Sequence, residues 1–239
     1  MKERFKLHRK LWEFVYIAQV LYENNCLFDG SHGLGFAVGK EPLPALFSSL
    51  GCKILATDLD AEEANARAWI NTNQNPANNI EALNEMGICK PEVFKKNVTY
   101  RSVNMNEIPE DLNGKFNFNW SACSVEHIGG LDKSLDFLVN NLKTLKSGGI
   151  AVHTTEFNLS SNEDTCLDPG CVMFRRRDIE AVAEKLRNLG HYVYPLDWRI
   201  GGYVNDRYID VPPYSQDKHL RLKLSKYAST SIGLIVRKK

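Results

Sequence analysis

The stretch from Cys26 to Asp60, CLFDGSHGLGFAVGKEPLPALFSSLGCKILATDLD, contains two short apolar runs that each end in an acidic residue. The first run ends at Asp29 and leads into closely spaced glycines, and the second run ends at Asp58. Pro42 is suited to begin a helix between the two runs, and Gly51 is suited to end it. The stretch therefore predicts a strand, a glycine-containing turn, a helix and a second strand, which is the start of an α/β fold.

The glycines of this stretch fit a dinucleotide-binding turn poorly. Such a turn has the pattern G-x-G-x-x-G and opens directly into a helix. Here Gly33 and Gly35 are followed by Val38 at the place of the third glycine. A glycine cluster is also common in any tight strand-to-helix turn, so the nucleotide has to be inferred from the rest of the chain.

Apolar runs and amphipathic patterns alternate along the remaining sequence. The further predicted strands are VTYRSV, FNFNWSAC, IAVHTTEF, YVYPLDW and SIGLIVRKK, and the predicted helices cover about 7–23, 61–73, 131–145 and 179–189. Residues 72–97 are polar and predict an excursion with a short helix at NIEALNEMG. The pattern predicts one domain, residues 1–239, with an open, mostly parallel, seven-stranded Rossmann-like sheet, helices on both faces and an antiparallel last strand. A lid-like insertion is expected at about 199–230.

Composition excludes several classes of protein. The 239 residues include 30 Lys and Arg against 29 Asp and Glu, so the basic excess typical of nucleic-acid binding is missing. No run approaches the length of a membrane span, and the N-terminus does not resemble a signal peptide, so a cytoplasmic protein is expected. The six cysteines form no C-x-x-C pair, which favours structural thiols over a metal site.

Polar residues follow three of the predicted strands. The Asp58 carboxylate can accept two hydrogen bonds from a ribose diol, and the Asn104 amide oxygen can accept one from an adenine amino group. Met105 offers an apolar edge for the adenine ring, and Asp29 suits a cationic group such as an ammonium. Because ligands bind outside the carboxyl ends of the strands in such sheets, these residues predict a nucleoside site.

The order of these motifs resembles that of the class I S-adenosylmethionine-dependent methyltransferases. The resemblance spans about residues 25–160 and is carried by LFDGSHGLG, ATDLD, VTYRSVNMNEIP, FNFNWSACSVEHIGGL and LKSGGIAVHTTEF. It implies S-adenosyl-L-methionine as the cofactor. The implied cofactor-binding residues are Asp29, Gly30, Gly33 and Gly35 for the methionine end, Asp58 and Leu59 for the ribose, Asn104 and Met105 for adenine, and Ser121 for the floor.

His127 and Glu156 are the predicted catalytic residues. A hydroxyl or ammonium acceptor needs a general base, and His127 lies in the predicted exit of the fourth strand. Alternatively, His127 caps a turn or packs on the cofactor. By period-two alternation His153 and Thr155 share one side of the fifth strand, while Glu156 faces the other side near its carboxyl end. Alternatively, Glu156 pairs with an arginine of FRRR.

Four further residues are predicted to bind the acceptor, namely Glu126, His153, Arg175 and Tyr208. The aromatic and polar residues of the 199–230 insertion suit a sugar or another polyhydroxylated molecule, although a structural hairpin or an oligomer contact would have the same composition. No metal is predicted, but His127, Glu156 and Asn158 would be able to hold a divalent ion.

These observations predict a methyltransferase that acts on a small or carbohydrate-like acceptor, with O-methylation of a sugar, nucleotide-sugar or glycan precursor favoured. The sequence also resembles methyltransferases found with bacterial surface-polysaccharide genes. Two alternatives stay open, namely an NAD(P)-dependent oxidoreductase on a similar sheet and a non-catalytic methyltransferase-like subunit. The oligomeric state is not determined by these patterns.

Overall fold

A central β-sheet organises the computed structural model, which describes residues 6–60, 79–215 and 217–239. Its main strands are β2 (His32–Gly35), β3 (Lys53–Asp58), β4 (Val98–Ser102), β5 (Phe116–Ala122), β6 (Leu145–Asn158), β11 (Leu222–Leu224) and β12 (Tyr227–Arg237). Their order across the sheet is β11-β12-β6-β5-β2-β3-β4. The strands from β2 to β6 pair in parallel, and β12 runs antiparallel to β6. The predicted fold class is therefore confirmed.

The helices cover both faces of the sheet. They are α1 (Arg9–Glu23), α2 (Leu43–Ser49), α3 (Pro91–Asn97), α4 (Leu131–Asn140), α5 (Arg176–Asn188) and α6 (Val204–Arg207), with short strands β1 (Leu7–His8), β7 (Leu167–Asp168), β8 (Cys171–Val172), β9 (Tyr192–Val193) and β10 (Lys218–His219). One core packs α1, α2 and α3 against Phe118 and Trp120. A second core packs α4 and α5 against Leu34 and Leu234 on the opposite face.

The first strand lies later in the chain than the sequence predicts. The apolar run that ends at Phe28 precedes the sheet, and β2 is formed by His32–Gly35. These four residues pair with β3 on one side and β5 on the other, so the glycines lie inside the central strand. The prediction that Asp29 follows the first strand is therefore wrong.

Two other boundaries differ from the sequence prediction. The expected sixth strand is reduced to β9, which pairs with β12 at the edge, because Pro195 lacks the N–H that a continued ladder needs. Helix α3 lies inside the region 72–97 that was expected to be irregular, and it begins with Pro91. The short helix predicted at NIEALNEMG is present as a 3-10 helix at Ile80–Asn84. The helix predicted at 61–73 lies outside the described residues.

The order of the strands defines where a ligand can enter. From β2 the chain continues outward to β3 and β4, and it later returns to β5 on the other side of β2. A crevice opens outside the carboxyl ends of the strands at such a switch point. The loops after β2, β3, β4 and β5 therefore border the expected binding region.

The insertion near the C-terminus folds back onto the start of the chain. Its strand β10 pairs in parallel with β1, so that His219 lies beside His8. Thr230 at the beginning of β12 donates a hydrogen bond to the carbonyl oxygen of Leu220. Among the described residues, no helix combines the length and the apolar character required to cross a bilayer.

Candidate functional site

The turn at the carboxyl end of β2 is formed by residues 36–42. Within it, Ala37 has φ of 48° and Gly39 has φ of 52°, a left-handed conformation that favours glycine. The Gly39 N–H donates a hydrogen bond to Asp58 Oδ2 at 2.9 Å. This turn, rather than Asp29–Gly35, is the glycine-containing loop of the switch-point crevice.

Gly33 and Gly35 serve packing inside the sheet. A Cβ atom on Gly35 would lie 2.5 Å from the ring of Trp120, and a Cβ atom on Gly33 would overlap the ring of Phe118. Both aromatic rings belong to β5 and are completely buried. The two glycines therefore let large side chains of the neighbouring strand cross β2. The expectation that their missing side chains make room for a ligand does not match this geometry.

Asp29 and Gly30 lie at the opposite edge of the sheet from the crevice. The Gly30 N–H donates to the carbonyl oxygen of Gly51, just before β3 begins. Asp29 packs beside the same glycine. Since parallel strands start together at one edge, these residues lie at the amino edge and are not brought together with Asp58.

Asp58 occupies the carboxyl end of β3, as the sequence predicts. Its carboxylate accepts hydrogen bonds from the N–H groups of Gly39 at 2.9 Å and Leu59 at 2.8 Å. Burial raises the pKa of Asp58, and these two backbone bonds act against that rise. The side chain is half-buried, so a polar ligand in the crevice would be able to reach it.

Asn104 and Met105 follow β4 on the same edge. The Asn104 side-chain oxygen accepts a hydrogen bond from the Asn106 N–H at 2.9 Å. Met105 is only 5% exposed and belongs to the core that also contains Phe36. The Asp58 carboxylate and the Asn104 amide thus lie at neighbouring strand ends, on the edge where the strand order predicts a crevice.

Glu41 is a buried acid in the turn after β2 that the sequence patterns do not single out. Its Oε1 accepts a hydrogen bond from the Trp120 indole N–H at 2.5 Å. Burial raises the pKa of Glu41 to about 8, and the nearby Asp58 and Glu13 add to that rise, whereas Trp120 and Lys10 oppose it. The carboxyl group is thus protonated at neutral pH in the folded chain.

Glu41→Gln is expected to increase stability relative to the wild type progressively as pH rises from 4.5 to about 8. Above pH 4.5 the Glu41 carboxyl group of the unfolded chain loses its proton, whereas the folded chain keeps that proton up to about pH 8. The free energy of unfolding of the wild type therefore decreases between these two pH values. Glutamine does not titrate and retains an oxygen for Trp120. Urea denaturation across the window measures the difference, with exposed Glu85→Gln as the control. A difference that stays constant with pH would contradict the buried protonated acid.

Helix α1 brings charged residues onto the carboxyl ends of β5 and β6. We call Arg9, Lys10, Glu13, Cys123, Glu126 and Glu156 the polar cluster. The Arg9 guanidinium forms an ion pair with Glu156 and donates to Cys123 Sγ at 3.0 Å. Lys10 lies 3.2 Å from Glu13, which is completely buried. The sequence does not assign Arg9, Lys10 or Glu13 to the site, because charged positions in an amphipathic helix normally face solvent.

Glu156 is surrounded by partners. Besides Arg9, it accepts a hydrogen bond from the Ser229 hydroxyl of β12. Burial raises the pKa of Glu156, and the positive charge of Arg9 opposes the rise. Glu156 lies on the side of β6 opposite His153, as the alternation predicts, and its partner there is Arg9 of α1 and not an arginine of FRRR.

Glu126 and His127 lie in the 3-10 helix that follows β5. The Glu126 Oε2 atom accepts a hydrogen bond from Thr155 at 2.9 Å, whereas the buried Oε1 atom has no hydrogen-bond donor in the described part of the chain. His127 Nε2 lies 4.0 Å from this oxygen. His127 Nδ1 lies 2.7 Å from the Gly170 carbonyl oxygen, which can only accept, so Nδ1 carries the proton.

A metal ion would meet a competing cation in this cluster. Ligand atoms of Cys123, Glu126 and Glu156 lie within 4.8 Å of one another. Arg9 contacts two of these three groups and already supplies positive charge. The alternative set with Asn158 is not assembled for a metal, because its side-chain oxygen accepts from the N–H groups of Ser160 and Ser161.

The remaining predicted site residues lie elsewhere. Ser121 and His153 contact each other at 2.8 Å inside the sheet, where His153 packs edge-on against Phe137. Arg175 is the N-cap residue of α5, and its guanidinium donates to the carboxylate of Asp178. Asp178 is the third residue of the helix. Tyr208 is exposed, and its ring contacts Lys218. Their side-chain contacts are thus structural, and the geometry does not join Ser121, His153 or Arg175 to the crevice.

Comparison with solved structures gives several similar folds. Magnesium protoporphyrin IX methyltransferase from Synechocystis PCC 6803, with bound SAH, has a TM-score of 0.55 and 9% identity over 96% of this chain and 83% of that chain. An S-adenosylmethionine-dependent methyltransferase from Mesorhizobium loti has a TM-score of 0.53 and 12% identity over 94% of this chain and 98% of that chain. The 4+2 cyclase SpnF has a TM-score of 0.55 and 17% identity over 93% of this chain and 80% of that chain.

The chain shares its α/β fold with these three proteins, two of which are named as methyltransferases. No protein-family model matches the sequence, and comparison with curated proteins gives no match. Identities this low establish a common fold, and one of the similar structures is named as a cyclase. Activity therefore has to be argued from the residues of the site.

Proposed function

We propose that the protein is an S-adenosylmethionine-dependent methyltransferase that methylates an oxygen of a small or carbohydrate-like acceptor. The observation that carries the proposal is the Asp58 carboxylate at the end of β3, bonded to the glycine turn after β2. A half-buried carboxylate beside a switch-point crevice suits a ribose diol. The neighbouring methyltransferase structures support the same cofactor, which supplies an activated methyl group when bound.

The proposed cofactor residues are those at the carboxyl ends of β2, β3 and β4. Asp58 and Leu59 would hold the ribose, and Asn104 with Met105 would contact adenine. The turn of residues 36–42 would bind the methionine end. Asp29, Gly30, Gly33, Gly35 and Ser121 are not part of this proposal, because they lie at the amino edge or inside the sheet.

The proposed acceptor side lies at the exits of β5 and β6. The Glu126 Oε1 atom is buried and has no donor among the described residues, a state that is costly unless a ligand or water supplies one. A second polar group of the acceptor, apart from the hydroxyl that is methylated, would donate to this oxygen, with His127 beside it. Glu156 would orient the acceptor side through its ion pair with Arg9.

Titration calorimetry with S-adenosylmethionine and with its demethylated product tests the cofactor assignment. Both are expected to bind, and the absence of binding for both would exclude a methyltransferase. Fluorescence titration with NADH tests the oxidoreductase alternative in parallel. Tight binding of NADH without binding of S-adenosylmethionine would favour that alternative.

Turnover separates an enzyme from a non-catalytic subunit. A coupled assay for the demethylated product, with fractionated cell metabolites as acceptors, is expected to show product in at least one fraction. Binding of the cofactor without turnover in any fraction would favour the non-catalytic alternative. Identifying the acceptor in the active fraction would also test the proposed methylation of a sugar. A precursor of a polysaccharide made in the cytoplasm is the acceptor expected from the proposed role in polysaccharide biosynthesis.

A further inference from the structure

Asp210 and His219 form a buried acid–histidine pair in the insertion. His219 Nδ1 lies 2.7 Å from Asp210 Oδ2, and the two residues are 7% and 1% exposed. The Asp210 backbone is held on both sides, since its N–H donates to the Arg221 carbonyl and its carbonyl accepts from the Lys223 N–H. Ordering two polar side chains in a buried position costs free energy, so the pair calls for a specific role.

The pair lies in a segment that contacts β12 on one side and β1 on the other. Leu220 follows His219, and its carbonyl oxygen accepts a hydrogen bond from the Thr230 hydroxyl. Ser229, which precedes Thr230 in β12, donates to Glu156 of the polar cluster. On the other side, His219 stacks on His8 with ring centroids 4.8 Å apart. His8 directly precedes Arg9, which contacts Cys123 and Glu156. The segment that carries His219 is thus connected to the polar cluster through Thr230 and Ser229 on one side and through His8 and Arg9 on the other.

The hydrogen bond with Asp210 determines the tautomer of His219. A carboxylate only accepts, so Nδ1 carries the proton and Nε2 has the free electron pair. Neutral His8 has the opposite tautomer, because its Nδ1 accepts from the Lys10 N–H at 3.1 Å. Among these two stacked rings, only His219 presents a basic nitrogen.

We propose that His219 is the general base for the acceptor hydroxyl and that Asp210 is its positioning residue. The inference rests on the proposed function. His127, the base predicted from sequence, has a neutral carbonyl as its Nδ1 partner, whereas His219 has a carboxylate. A carboxylate stabilises the imidazolium that forms on proton uptake far better than a carbonyl does. Glu156 is less suited, because Arg9 compensates its charge.

The proposed step balances in atoms and charge. The acceptor O–H proton moves to His219 Nε2, while an electron pair of the acceptor oxygen forms the new bond to the methyl carbon. The carbon–sulfur bond breaks and its electron pair stays on sulfur, which becomes a neutral thioether. The positive charge thus moves from the sulfonium to the imidazolium, beside the Asp210 carboxylate.

The groups that face His219 are compatible with this step. Asp210 and Tyr214 come from the insertion, and His8, with Arg9 and Lys10 behind it, comes from the N-terminal segment. Burial, with the neighbouring His219, lowers the pKa of His8 to about 4, so His8 stays neutral at physiological pH. The Tyr214 hydroxyl donates to the Lys223 carbonyl at 2.7 Å. A charged His8 would otherwise repel the imidazolium.

His219→Gln and Asp210→Asn in the full chain test the proposal, with His191→Gln as a surface control. The assay uses the metabolite fraction that supports wild-type turnover. We expect His219→Gln to lower kcat about 100-fold or more and to leave the affinity for the demethylated cofactor unchanged. Asp210→Asn is expected to lower kcat with little change in KM and to shift the acidic limb of the pH profile. The control is expected to keep wild-type turnover.

Each outcome decides a separate point. Near wild-type kcat in His219→Gln, with cofactor affinity intact, would overturn the inference and leave the proposed function standing. Absence of cofactor binding to the wild type would overturn the proposed function as well. If either variant fails to fold, nitrogen NMR of His219 in the wild type at neutral pH tests the proposal instead. A neutral ring with its proton on Nε2 would overturn the proposal, and a neutral ring with its proton on Nδ1 would support it.

Discussion

Asp58→Ala is expected to weaken binding of the demethylated cofactor about 100-fold or more. A carboxylate that accepts hydrogen bonds from a ribose diol contributes about 1.5–3 kcal/mol per bond. Loss of two such bonds corresponds to at least about 3 kcal/mol, or roughly two orders of magnitude in Kd. The substitution also leaves the N–H groups of Gly39 and Leu59 without their acceptor, which loosens the glycine turn. Titration calorimetry measures the effect.

The matched control is Asp29→Ala. The sequence motifs place Asp29 in the cofactor site, whereas the structure places it at the amino edge of the sheet beside Gly51. Its replacement is therefore expected to leave the affinity unchanged. The reverse result, with affinity lost in Asp29→Ala and kept in Asp58→Ala, would contradict the proposed crevice. Thermal melting of both variants excludes unfolding as the cause.

Arg9→Met is expected to lower the free energy of unfolding by about 3–5 kcal/mol, the usual effect of removing one partner from a buried ion pair. Arg9 contacts Glu156 and Cys123, and its side chain is 16% exposed. Burial also raises the pKa of the Cys123 thiol well above its usual range, so the thiol stays neutral beside Glu156. Glu156 would remain as a buried acid without a counter-charge. Urea denaturation measures the loss.

A double-mutant cycle isolates this ion pair. Arg9→Met combined with Glu156→Gln is expected to recover much of the stability lost in Arg9→Met, because the buried charge is removed. Arg101→Met is the control, since Arg101 forms an exposed ion pair with Asp111 that is expected to contribute little. Additive effects of the two substitutions in the cluster would show that Arg9 and Glu156 are not energetically coupled.

The sequence predicts those site residues that directly follow a strand. Asp58 ends an apolar run, so the strand and its terminal acid are recognised together, and the structure confirms the position. The same reasoning is wrong for Asp29, because CLF is more apolar than HGLG yet only HGLG lies in the sheet. A strand with two glycines becomes favourable only when the rings of Phe118 and Trp120 pack across it.

The residues of the polar cluster and of the acid–histidine pair meet through tertiary contacts. Glu13 has the spacing of a solvent-facing position in an amphipathic helix, yet it is completely buried. Its burial follows from the packing of α1 over the ends of β5 and β6, where Ser231 donates to its carboxylate. His219 lies beside His8, which directly precedes Arg9 of the polar cluster, because β10 pairs with β1.

Local sequence patterns are sufficient to predict the α/β class, the order of most strands along the chain and the acid and amide at the ends of β3 and β4. Apolar periodicity and turn residues are local, so they are readable from neighbouring positions. Only the tertiary structure decided that the glycines pack within β2, that Arg9 compensates Glu156 and that Asp210 orients His219. Buried charges are stable only when a partner arrives from elsewhere in the chain, and local patterns do not specify that partner.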